Sequence, residues 1–382
     1  MEENKIIYLD NASTTKVNDK VLQAYIDAKK NFFANPSSIH VEGVRAQRAL
    51  DEARNSILFS LKLKDKEVIF LSGATEGNAL ALKGVANRYK NRGNHIITSN
   101  VEHPSVLKNL EQLEKNDGFK VTYLPVNEEG KINLDDLQNA ITKDTILVSL
   151  MAVNNESGAI NDIRKIGLIL KEYPKIIFHV DATQAIGKEN IDYQNADLIT
   201  FSGHKIHGLN GTGALIKNKN IELYPLIDGG GQENNYRSGT NDVAGAISLA
   251  LALKIALDEQ KETQNHVALL YKELYQYIDS NKEEYIINSP KDGSKFIFNF
   301  SLLKKKASVV VEALSNNKIM VSSTSACHSK KENKSEIIYR MFNDESRARN
   351  TIRVSFSNKN NLEEINELIS ELERITKEVK NR

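Results

Sequence analysis

Between residues 67 and 217 the chain repeats one pattern: a short apolar run, a polar turn, then a stretch of helical composition. The apolar runs fall at 68–71, 95–98, 121–124, 145–150, 176–180, 198–201 and 214–216. Several are unbroken β-branched or aliphatic residues rather than alternating ones, which suits strands covered on both faces. The segments 77–89, 104–115 and 134–140 between them read as helices. Strand–helix alternation of this kind predicts an α/β fold built on a doubly wound, mostly parallel seven-stranded sheet. Ligands of such sheets bind beyond the carboxyl ends of the strands. The residues just after each apolar run therefore carry the most information.

Outside that region, residues 6–9 read as a short strand and 17–60 as helices broken at Asn35-Pro36. After Gly229-Gly230-Gly231, residues 242–282 form one long helical region. The remainder alternates an apolar run at 296–300, a helix near 307–316, strands near 319–322 and 352–356, and a charged helix over 362–379. This predicts a large domain over 15–260 and a smaller α+β domain made of 1–14 and 261–382. A chain of 382 residues, 40% hydrophobic, is long enough for both. Lys+Arg total 51 against 50 Asp+Glu, so no net field draws nucleic acid or a membrane. No apolar stretch approaches a transmembrane length, and residues 1–5 lack the apolar core of a secretory signal. A cytoplasmic enzyme is the expectation. The single cysteine, Cys327, excludes an internal disulfide and a multi-cysteine metal site. His204 and His207 lack an evident third ligand, so no metal is expected.

Ser202-Gly203-His204-Lys205 follows the run at 198–201, and Asp181-Ala182-Thr183-Gln184 follows the run at 176–180. A lysine and an aspartate at one sheet edge are what pyridoxal phosphate requires. The lysine forms the Schiff base, and the aspartate pairs with the pyridinium nitrogen. Ser72-Gly73-Ala74-Thr75-Glu76 follows the run at 68–71 and opens a helix. Small residues there let backbone N–H groups approach a phosphate at the helix's positive end, with the Thr75 hydroxyl added. No Gly-Lys-[Ser/Thr] follows, so this is not a nucleoside-triphosphate loop. His103, beyond the run at 95–98, is suited to stack on a ring and carry protons. Cys327 lies among small polar residues from Val321 to Ser329, the signature of an exposed, mobile loop, with His328, Lys330 and Lys331 close enough in sequence to favour a thiolate. Arg353 has the planar fork that clamps a carboxylate.

Each residue also has a plainer reading. Lys205 fits a solvated surface lysine. Asp181 fits a helix N-cap with Gln184 as its capping-box partner, and Thr75 fits an N-cap. His103 fits a polar loop, Cys327 a small buried hydrophobe, and Arg353 a strand-edge arginine bonded to its own fold.

The ordered set decides between them. Tyr8-Leu9-Asp10-Asn11-Ala12-Ser13-Thr14-Thr15, Asn35-Pro36-Ser37-Ser38, Ser72-Gly73-Ala74-Thr75-Glu76, His103, Val153-Asn154-Asn155-Glu156, Asp181 to Gln184, Ser202 to Lys205, Arg237-Ser238-Gly239-Thr240, Ser325-Ala326-Cys327 and Arg353 run nearly the length of the chain. In that order they resemble the NifS/IscS-type cysteine desulfurases of the class V, fold-type I pyridoxal phosphate enzymes. The resemblance implies that Lys205 binds the cofactor covalently. Asp181 pairs with its ring nitrogen, Gln184 contacts its phenolic oxygen, and His103 stacks on the ring. Ala74, Thr75, Ser202, Gly203 and His204 surround the phosphate, and Thr240 reaches it from the other subunit of a homodimer. Asn35, Asn154 and Arg353 orient L-cysteine, and Cys327 takes its sulfur as a persulfide, leaving L-alanine. An acceptor protein, for iron–sulfur assembly or tRNA thiolation, then receives the sulfur. Another class V enzyme, a selenocysteine lyase or a small-amino-acid aminotransferase, is the alternative. The chain departs from the family pattern at Thr324, where a glycine is usual, at His328 after the cysteine, and in the charged run at 330–334.

Overall fold

The protein is described by a computed structural model covering residues 6–323 and 334–378. Its strands are β1 (Ile7–Tyr8), β2 (Lys66–Leu71), β3 (His95–Ser99), β4 (Lys120–Leu124), β5 (Thr145–Met151), β6 (Ile177–Asp181), β7 (Leu198–Ser202), β8 (Gly213–Asn218), β9 (Tyr285–Ile287), β10 (Ile297–Leu302), β11 (Ile319–Met320), β12 (Ser322–Ser323) and β13 (Thr351–Ser355). Its α-helices are α1 (Asp19–Asn31), α2 (Val41–Ser60), α3 (Ala74–Tyr89), α4 (Pro104–Asp117), α5 (Leu134–Ala140), α6 (Ile163–Leu170), α7 (Val243–Asp258), α8 (Gln260–Ser280), α9 (Ala307–Asn316), α10 (Glu336–Phe342), α11 (Glu345–Arg349) and α12 (Leu362–Glu378).

The seven-stranded sheet runs β2-β8-β7-β6-β5-β3-β4. Only β8 is reversed, pairing antiparallel with both β2 and β7. Successive residues of the central strands enter opposite cores. Ile96, Leu147, Leu198 and Leu215 pack with Leu80, Val85 and Leu110 on the α3–α4 face. Their neighbours Ile97, Val148, Ile199 and Ile216 pack with Leu249 and Leu253 of α7 on the other. Burial on both faces is why these runs are apolar throughout, each such side chain contributing roughly 1.5–3 kcal/mol of transfer free energy. No helix among the described residues is long and apolar enough to cross a membrane.

The second sheet is antiparallel, in the order β12-β13-β10-β9. The helical region expected over 242–282 is two helices that meet at Glu259. The chain turns there because α7 packs against α1 and α2, whereas α8 packs against α12 and β9. The segment 7–15 joins the two sheets. β1 pairs with β11, Asn11 Nδ2 donates to Ser355 O at 2.9 Å, and Thr15 N donates to His204 O at 2.9 Å.

Candidate active site

The carboxyl ends of β2, β3, β5, β6 and β7 face one edge of the large sheet, and the candidate residues emerge there. Asp181 is the last residue of β6, in register with Met151 of β5 and Thr200 of β7. No α-helix follows it, so it is not a helix cap. Its Oδ1 accepts from Thr183 N at 3.0 Å, and its Oδ2 accepts from Asn78 Nδ2 at 2.8 Å. That amide also donates to Ser105 Oγ at 2.9 Å. Two residues earlier on the same strand, His179 bridges Ser149 Oγ (2.8 Å) and Thr200 Oγ1 (2.9 Å) through its two ring nitrogens. Burial pulls the His179 imidazole down to about 4, so it is neutral.

Lys205 lies in the 3-10 turn that directly follows β7. Its Nζ donates to Ala12 O at 2.7 Å and to Ser13 O at 2.5 Å. His204 Nδ1 lies 3.2 Å from Thr14 Oγ1. Burial, then the charges of Lys205 and Lys188, bring its imidazole down to about 4. Gly203 has no room for a side chain, since a Cβ there would come within 2.3 Å of Thr212 Oγ1.

The start of α3 is open. Gly73 holds the N-cap position and gives no side-chain hydrogen bond, so Thr75 lies inside the first turn rather than capping it. Ala74 N donates to Ser202 Oγ at 2.7 Å, which ties this helix start to the end of β7. His103 is the N-cap of α4, with Nδ1 accepting from Ser105 N at 3.1 Å. That nitrogen thus serves the helix, and the residue stands at the sheet edge, tied through Ser105 to Asn78. Asn154 is buried, its Oδ1 accepting from Glu156 N and Ser157 N and its Nδ2 donating to Val101 O. Arg353, on β13, donates to Asn155 O (2.9 Å), Asp10 Oδ1 (2.9 Å) and Ser13 Oγ (2.6 Å). Gln184 Nε2 donates to Ala12 O at 2.8 Å.

Two candidates are not drawn into this bonded set. Asn35 is exposed, with Oδ1 accepting from Ser37 N. Thr240 is exposed beside a separate cavity that it lines with Ser72 and Arg237. Cys327 lies outside the described residues.

Sequence reasoning missed Asn78, Ser105, His179 and Glu102. Asn78 had a weak signal, standing one helical turn after Thr75. Glu102 accepts from Ser99 Oγ at 2.6 Å, and burial pushes its carboxyl up to about 8.

The donor set fits pyridoxal phosphate. A helix start with glycine at its N-cap, bonded to the Ser202 hydroxyl and with Thr75 in its first turn, suits a phosphate, and the neutral His204 imidazole lies two residues beyond Ser202 in the chain. A buried carboxylate suits a ring nitrogen that must stay protonated, and an amine on the same edge suits an aldehyde. Fold and site together define a fold-type I pyridoxal phosphate enzyme. Residues 7–368 match the aminotransferase class-V family. A NifS/IcsS protein homolog of Lactobacillus delbrueckii subsp. bulgaricus is 39% identical, with 97% of each chain covered. A cysteine desulfurase IscS of Clostridium botulinum is 37% identical over 98% of this chain and 95% of its own. Among solved structures, a NifS-like protein superposes with a TM-score of 0.90 at 32% identity, covering 98% of this chain and all of that one. SspA in complex with cysteine superposes with a TM-score of 0.79, also at 32% identity, over 92% of this chain and 98% of its own. The chain belongs to the class-V aminotransferase family, in its NifS/IscS cysteine desulfurase branch.

Proposed function

We propose that the protein is a pyridoxal phosphate-dependent cysteine desulfurase that converts L-cysteine to L-alanine and passes the sulfur on through Cys327. The observation that carries this reading is the meeting of Lys205, Asp181 and His103 at one sheet edge beside the open start of α3. Ala74, Thr75, Ser202 and His204 would hold the phosphate, with Gly203 giving the turn its close approach. Asp181 would hold the ring nitrogen, Gln184 the phenolic oxygen and Lys205 the aldehyde carbon. When bound, the cofactor supplies an electron sink for charge that develops at the substrate Cα.

The protein's own groups do the rest. Asp181, fixed by Asn78 and Thr183 N, keeps a proton on the nitrogen it faces. Lys205 takes the Cα proton, which requires its amine to be uncharged. His103, anchored through Nδ1, presents its ring face. Asn154 and Arg353 orient the substrate, and Arg353 exchanges part of its bonding to Asp10 for the substrate carboxylate. The Cys327 thiolate attacks the substrate Sγ. The new S–S bond forms as the Cβ–S bond breaks, the electron pair stays with carbon, and two proton transfers complete alanine. Cysteine plus the thiol thus give alanine plus a Cys327 persulfide.

In this reading residues 15–260 form the cofactor-binding domain, and residues 1–14 with 261–382 form the smaller domain carrying Cys327. The protein is a cytoplasmic homodimer in which Thr240 serves the partner's site. The persulfide goes to an acceptor protein of iron–sulfur assembly or tRNA thiolation.

Purified holoenzyme given L-cysteine and a reductant should release sulfide and alanine in equal amounts. Cys327→Ala should keep the visible cofactor band and lose at least a hundredfold in sulfide release, within the range expected for a lost nucleophile. Full activity in that variant would refute the role of Cys327. Lys205→Ala should lose the band, and an unchanged spectrum would reject the covalent link.

A further inference from the structure

Behind Lys205 a cleft opens between the segment 11–18, α7 and the turn at 356–359, and a second lysine, Lys188, lines it with Lys205. Lys188 is 8% exposed and forms no ion pair among the described residues. Its Nζ donates to Gln184 Oε1 at 3.2 Å and lies 5.9 Å from the centre of the Phe296 ring. Gln184 passes the contact on. Its Nε2 donates to Ala12 O, the carbonyl that also accepts from Lys205 Nζ. A methionine would fill the same space without the desolvation cost of an ammonium.

The charges around Lys188 are mostly of its own sign. Lys205 and Arg353 oppose its charge, and Glu189 is the favourable neighbour, itself shared with Ser294 and Lys295. His204 and His207 are both lowered in part by Lys188, and Glu259 and Lys359 line the cleft. Burial, then Lys205, brings the Lys188 ammonium down to about 7.

We propose that Lys188 is a positioning residue for the desulfurase reaction, fixing the Gln184 amide through Oε1 and favouring the uncharged form of the Lys205 nitrogen. An amide turned the other way would set two donors face to face, so a cation at Oε1 leaves Nε2 pointing at Ala12 and the site. A positive charge nearby makes a second one on Lys205 more costly. The proposal rests on the reading of this edge as a pyridoxal phosphate site.

The test is an absorbance titration of the holoenzyme's visible band between about pH 5 and pH 10. Lys188→Met should move the midpoint upward by about one pH unit or more, whereas Lys188→Arg, charged at every pH of the titration, should leave it at or below the wild-type value. An unmoved midpoint in Lys188→Met overturns the proposal. If that variant fails to keep the band, Lys188→Gln decides by the same criterion. A wild type with no visible band would instead end the cofactor reading.

Discussion

Glu102 shows how a single side chain adjacent to the site links pH to stability. Its carboxyl sits in a fully enclosed position, accepts from Ser99 Oγ, and is pushed from 4.5 to about 8 by burial. The folded protein thus favours the neutral acid. The stability it contributes is complete below the unfolded value, falls as pH rises above about 4.5, and is gone above about 8. Glu102→Gln stays neutral at every pH and keeps an acceptor for Ser99. It should therefore gain stability over wild type at pH 8 relative to pH 5, on the order of 3 kcal/mol, read from denaturant midpoints at the two pH values. Equal differences at both would show that Glu102 is not buried as an acid. Lys205 and Asp181 were legible in the sequence because position after an apolar run fixes which sheet edge a residue occupies. Glu102, Lys188 and Asn78 were not, because what makes them matter is the company that folding brings. A buried glutamate and a solvated one look the same in a row of letters.

At the scale of elements, α3 is held at the site by one missing side chain. A Cβ on Gly77 would come within 2.6 Å of Thr200 Cγ2. Thr200 cannot swing away freely, since its Oγ1 bonds His179 Nε2 and its backbone pairs in β7. Gly77→Ala should cost roughly 1–3 kcal/mol by overpacking. It should also weaken pyridoxal phosphate binding by moving the first turn of α3, which a fluorescence titration of apoprotein would read. Unchanged stability and affinity would mean the helix has slack there. The strands of the large sheet were readable because a doubly buried strand is apolar throughout. The turn at Glu259 was not, because the sequence on both sides is helical and only the divergence of two packing surfaces bends it. Helix α11, at five residues, is too short to leave a periodic signal.

Across the whole molecule, contacts between distant parts of the chain hold the geometry. Glu233 is buried, paired with Arg54 of α2 at 2.7 Å, and it accepts from Phe70 N of β2 at 2.9 Å. Glu233, Asn234 and Asn235 all have left-handed backbone, at φ of 48°, 55° and 68°. Three such residues in a row persist only when their surroundings fix them. Glu233→Ala would leave Arg54 only the exposed Asp51, at 3.5 Å, as counter-charge and should cost about 3 kcal/mol in a denaturant melt. A loss below 1 kcal/mol would show that the turn holds itself.

The strap at residues 7–15 carries a different consequence. It supplies the Ala12 and Ser13 carbonyls that grip Lys205, yet it is anchored to Met320 and Ser355. The ribosome delivers the strap long before the anchors it bonds to. A nascent chain thus exposes Lys205 before it can clamp it, so the order of synthesis itself sets back cofactor capture until Met320 and Ser355 have emerged.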